Sequence, residues 1–125
     1  MAELAPGWKM DLERGPDCLI IRLRADENGG VEDLELSDKL WQVLEQHLVY
    51  RLILELDDVG DLRGDVLGEL VNLSRKICER DGMLRICGLS ESNRQLLDAS
   101  RVAQPVAHYA SREAALMRYR PLQPR

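Results

Sequence analysis

Five carboxylates crowd one short stretch of this chain: Asp57, Asp58, Asp61, Asp65 and Glu69. With Arg63 among them, residues 57–69 carry a formal charge of -4. Carboxylates at this density can hold a divalent cation or exchange protons as general acid and base. A Mg²⁺ site needs two or three of them to converge, and their spacing is out of register with a calcium loop. Gly60-Asp61-Leu62-Arg63-Gly64 follows an aliphatic run, where many α/β domains cradle phosphate. The segment lacks the lysine-hydroxyl ending of a phosphate loop, however, and no GxGxxG occurs in the chain. Nucleophilic catalysis needs Ser or Cys beside His. The chain has no Thr, no Ser lies between Ser37 and Ser74, and His47 and His108 stand in no nucleophile signature. An enzyme using these carboxylates with Mg²⁺ stays open, beside two further roles for the cluster. Asp65 reads as a helix N-cap, and the loop as a whole reads as a charged docking patch for a protein partner.

The elements that must position this loop are legible from periodicity. Trp8–Glu13 reads as a short edge strand, and residues 17–24, DCLIIRLR, as a core strand. Residues 25–34 form an acidic loop around Gly29-Gly30. From about Leu34 to Leu48, Leu36, Leu40, Val43, Leu44 and His47 recur at helical steps, with Trp41 widening the face. Residues 50–56, YRLILEL, are a buried strand that ends in the acidic loop. A helix follows from Asp65 to about Arg80, with Val66, Leu67, Leu70, Val71, Leu73 and Ile77 inward and Asp81-Gly82 as its stop. Residues 83–88, MLRICG, form another core strand. Ser90 or Ser92 caps a short helix bearing Leu96, Leu97 and Ala99. Residues 104–109 are a last strand placed at an edge by Pro105, and a helix opens at Ser111. The order β-β-α-β-α-β-α-β-α implies parallel strand pairs joined by helical crossovers.

Composition narrows the function classes. At 125 residues the chain makes one domain with a real core, and with no Phe that core is Leu, Ile and Val. A net charge of -5 opposes nucleic acid as the main partner, and the basic ending RYRPLQPR reads as a solvated tail. Cys18, Cys78 and Cys87 are odd in number and each falls in an apolar segment. They read as buried thiols in a reduced, cytoplasmic protein rather than a disulfide framework. No CxxC or paired histidines suggest a metal, and no run approaches the roughly 20 apolar residues of a membrane span.

The ordered elements also carry a resemblance. LILELDDVGDLRGDVLGELVNLSRKICERDG resembles the strand, D-S-S-G-like loop, long helix and glycine turn of the STAS domain, the family of bacterial anti-sigma factor antagonists. The following MLRICGLSESNRQLLDASRV is similar to its next strand, short helix and closing loop. The likeness spans roughly residues 9–117. It implies a protein that binds an anti-sigma factor which is also a Ser/Thr kinase, with a serine at the helix start as switch. Phosphorylation there would add a charge of about -2 to a docked surface. Here the family's Asp position is Arg63, its phosphorylatable Ser position is Gly64 and the next Ser position is Asp65. The resemblance thus gives Asp65 a second possible role, a fixed charge imitating the phosphorylated state. Ser92 and Ser74 are the alternative acceptors, with Ser92 the more accessible.

The sequence therefore predicts a single α/β, STAS-like domain over residues 9–117, with a mixed four- to five-stranded sheet flanked by helices. Residues 1–8 form a lead and residues 118–125 a flexible basic tail. The expected function is a bacterial, non-enzymatic regulatory module without cofactor or metal. It would bind a protein, an anti-sigma factor or serine kinase, through Asp57, Asp58, Gly60, Asp61, Arg63, Gly64, Asp65 and Ser92. Gly60 and Gly64 would shape the loop, and Arg63 would meet a partner carboxylate. The alternative is a small-molecule or nucleotide sensor using the same loop.

Overall fold

The computed structural model describes residues 2–5, 7–25, 35–60, 62, 64–100 and 106–119. They form six strands and four helices: β1 (Ala2–Ala5), β2 (Trp8–Gly15), β3 (Cys18–Ala25), α1 (Leu36–His47), β4 (Arg51–Asp58), α2 (Gly64–Glu79), β5 (Met83–Cys87), α3 (Glu91–Ala99), β6 (Ala107–Tyr109) and α4 (Arg112–Tyr119). The strands lie in sequence order in one sheet. β1, β2 and β3 pair antiparallel, whereas β3 through β6 pair parallel. Hairpins permit the first arrangement, and the helical crossovers α1, α2 and α3 impose the second.

The sheet has one strand more than the sequence reading allowed. Residues 2–5, read as a lead, pair with β2, so β1 rather than β2 forms that edge. AELA is too short to display an alternating pattern, and only the pairing surface of β2 identifies it as a strand. At the other edge lies the three-residue β6, as expected. α4 continues to Tyr119, past the expected boundary at 117, and residues 120–125 of the tail lie outside the described residues.

Burial on both faces explains the continuous apolar run of β4, where Leu52 through Leu56 are all buried. Alternate residues of β3 and β4 separate into two cores. Leu19, Ile21, Leu52 and Leu54 join α1, α2 and Leu97 of α3 in the larger cluster. Cys18, Ile20, Ile53 and Cys87 join Ala115 of α4 in the smaller one. α1, α2 and α3 thus cover one face, and α4 covers part of the other.

Cys18 and Cys87 are buried, but Cys78 is exposed, contrary to the sequence reading. Ile77 is the last inward residue of α2, and the next position turns about 100° away from the core. Burial, then the nearby Glu55 and Asp57 carboxylates, push the Cys87 thiol up to about 12 from the ordinary 9.0. Burial also raises Cys18. Alkylation with iodoacetamide at pH 8 is therefore expected to mark Cys78 in the folded chain and spare Cys18 and Cys87, as peptide mass spectrometry would report. Above about pH 9 the unfolded chain loses the Cys87 proton that the folded chain keeps, so this group lowers stability as pH rises toward about 12.

Candidate functional site

The acidic stretch lies at the carboxyl end of the parallel strands, where open α/β sheets place their binding crevices. Asp57 and Asp58 are the last two residues of β4 rather than part of the loop. Register sets Arg22 of β3 opposite Glu55, and Arg24 opposite Asp58. The Arg22 guanidinium reaches Asp58 Oδ2 at 3.5 Å and Asp57 Oδ1 and Glu55 Oε1 at 3.8 Å each. Arg24 Nη2 lies 3.8 Å from Asp58 Oδ2. Glu69 is turned away, accepting from the Ser37 amide at 2.9 Å at the start of α1. The segment's formal charge of -4 is thus offset by arginines from a strand more than thirty residues earlier. Periodicity assigned Arg22 and Arg24 to a strand and gave no signal of this role.

Behind them, Glu55 is 4% exposed, in the middle of the sheet. Arg112, the first residue of α4, grips it bidentately, with Nη2 to Oε1 at 2.5 Å and Nε to Oε2 at 3.1 Å. Arg112 Nη1 also donates to Glu13 Oε2 of β2 at 2.6 Å. The hydrogen bonds to Glu55 hold the Arg112 proton more firmly than in an ordinary arginine. Arg85 of β5 adds a bond to the Ala115 carbonyl at 3.0 Å. These contacts fasten α4 to the sheet.

Past β4, Gly60 is exposed and Leu62 is buried in the larger core. Asp61 and Arg63 lie outside the described residues. α2 begins at Gly64, so Asp65 stands in its first turn rather than at the cap. There its Oδ1 accepts from the Val66 amide at 2.9 Å, and its charge still favours the positive end of the helix. Gly60 and Gly64 do not have left-handed backbone, and a Cβ at either would meet nothing within 4 Å. Neither conformation nor space demands glycine at position 64. Gly88 differs. Its φ is +76°, and a Cβ there would lie 2.0 Å from Asp57 Oδ1, so this glycine lets the β5–α3 loop close against the end of β4.

Ser90, not Ser92, caps α3, accepting from the Asn93 amide at 3.1 Å. Ser92 is exposed in the first turn, with its Oγ 3.3 Å from that of Ser90. Ser74 is buried in mid-helix. Sequence reading passed over Asn93. Its side chain accepts from the Leu62 amide at 2.8 Å and donates to the Gly60 carbonyl at 3.0 Å. The available signal was weak, a polar residue three positions after a capping serine and on the side of the helix that carries Leu97.

Among the described residues no group of three or more His, Cys, Asp and Glu side chains is placed to hold a metal ion. His108 lies 2.9 Å from Asp98, and Cys87, with its raised pKa, is the opposite of an activated nucleophile. No described helix is long and apolar enough to cross a membrane.

Comparison with solved structures finds the same fold over most of the chain. A Thermotoga maritima protein assigned as an anti-sigma factor antagonist aligns over 90% of this chain and 95% of its own, at 17% identity and TM-score 0.73. An anti-sigma factor antagonist from Mycobacterium paratuberculosis aligns over 96% and 100%, at 14% identity and TM-score 0.69. The fold is the STAS fold of anti-sigma factor antagonists. An RsbS variant from Moorella thermoacetica shares it too, over 86% of this chain and 93% of its own, at 11% identity and TM-score 0.68. No family model and no curated protein sequence matches the chain.

Proposed function

We propose that this STAS-fold domain is a regulatory protein-binding module. It docks an anti-sigma factor through the end of β4, the loop into α2 and the start of α3, and it lacks the serine switch. The docking residues are Asp57, Asp58, Gly60, Asp61, Arg63, Gly64, Asp65 and Ser92. The observation that carries this reading is position 64. It is the exposed first residue of α2, has room for a side chain, and is glycine. A hydroxyl there would face solvent at a positive helix end, and its absence leaves the docking surface constitutively unmodified. The small-molecule alternative is disfavoured by Asp65, whose carboxylate occupies the helix start that an anion would seek.

The test uses purified anti-sigma factor kinases from the source genome, with ATP. Wild type is expected to bind one of them and to take up no phosphate at residue 64. Gly64→Ser should fold normally, become phosphorylated at that residue, and lose at least tenfold in affinity once modified, about 1.4 kcal/mol or more. Asp65→Ser separates the two roles of the aspartate: tighter binding marks a phosphate mimic, and unchanged affinity marks a helix-start residue only. Failure of wild type to bind any of these kinases would reject the proposal.

A further inference from the structure

The Asn93 carboxamide ties α3 to the loop between β4 and α2, and docking gives that tie a purpose. Asn93 is 3% exposed. One side-chain atom receives the Leu62 N–H and the other donates to the Gly60 carbonyl, two residues apart on the same strand of chain. A neighbouring peptide group in a sheet makes this pair of contacts, and a carboxamide carries the same acceptor oxygen and N–H donor on one planar group. The asparagine is held in turn by its own amide, which donates to Ser90 Oγ. Two further contacts fix the same region: the Leu62 side chain is in the main core, and Asp57 rests against Gly88.

We infer that Asn93 is a positioning residue for docking: it sets the backbone at Gly60 and Leu62 in the free protein, so that the partner meets a preformed surface that includes the start of α3. This rests on the docking reading proposed above. An exposed loop without such a clamp samples many backbone states, and apparent affinity falls with the fraction in the competent one. Oδ1 and Nδ2 do separate work. An aspartate at this position keeps the acceptor for Leu62 but presents a charge to the Gly60 carbonyl, whereas a leucine of similar shape makes neither bond.

The experiment compares wild type, Asn93→Asp and Asn93→Leu by amide hydrogen exchange in the free protein, and by affinity for the anti-sigma factor that wild type binds. The Leu62 amide is expected to exchange at least tenfold faster in Asn93→Leu, with the amides of Ile53 and Leu54 in β4 unchanged. Asn93→Asp should keep most of that protection. Affinity should fall about tenfold in Asn93→Leu and less in Asn93→Asp. A uniform rise in exchange across β4 and Leu62 would mean a structural role only and would overturn the inference. So would a loosened Leu62 with affinity within twofold of wild type. If Asn93→Leu does not fold, Asn93→Asp carries the test: retained Leu62 protection with affinity lowered more than twofold is expected, and affinity within twofold of wild type would overturn the inference. If wild type binds no anti-sigma factor, the docking reading falls, and Leu62 protection alone decides whether Asn93 positions the loop.

Discussion

Gly82→Ala is expected to destabilise the domain by about 3 kcal/mol or more and to lower its Tm by about 10 °C or more, read by thermal and urea unfolding. A Cβ at this position would lie 1.8 Å from the Tyr50 carbonyl oxygen, 2.8 Å from its carbon and 2.9 Å from Ile77 Cγ2. The carbonyl cannot step aside, because it accepts from the Met83 amide at 3.1 Å and so starts the β4–β5 pairing. The glycine amide also closes α2 onto the Ile77 carbonyl at 3.0 Å. The conformational demand falls one residue earlier, on Asp81 with φ 57°. Asp81→Gly should therefore lie within about 1 kcal/mol of wild type, since it relieves left-handed strain while freeing the unfolded chain. Equal losses from the two substitutions would contradict this account.

Arg112→Ala is expected to cost about 3 kcal/mol, and Glu55→Ala about half as much, although both break the same pair. Losing the arginine strands a carboxylate that is 4% exposed, with Arg22 no nearer than 3.8 Å. Losing the glutamate leaves a guanidinium whose side chain is 31% exposed and still bonded to Glu13. Water can rescue the second charge but not the first. The damage should be local to α4, which the Arg85 bond to the Ala115 carbonyl holds only in part. Limited proteolysis near residue 112 should accelerate before the β4 amides lose exchange protection. The reverse order of cost, or simultaneous opening of β4, would disprove this division of the structure.

Much of the fold was readable because it depends on local periodicity. Leu52 to Gly82 alternates between a doubly buried strand and a helix with one apolar face, and both periods survive in the structure. α2 fixed Cys78 on the wrong side of the reading because apolar neighbours suggested burial, whereas the helical angle exposes it. Asp65 shows the same one-residue sensitivity. A short acidic residue before an apolar run looks like a cap, and the helix in fact starts at Gly64.

By itself the sequence determined the order of elements from β2 to α4, the apolar faces and the absence of a hydroxyl at position 64, because each is a property of neighbouring residues. Only the tertiary structure decided what the acidic segment is. Parallel pairing of β3 with β4 places Arg22 and Arg24 beside Asp57 and Asp58, the β5–α3 crossover brings Asn93 to Gly60 and Leu62, and α4 returns Arg112 to Glu55. These partners lie 31 to 57 residues apart where hydrogen bonds join them. Charge and hydrogen bonding act through space over a few ångströms, and chain folding, not chain order, sets which groups come that close.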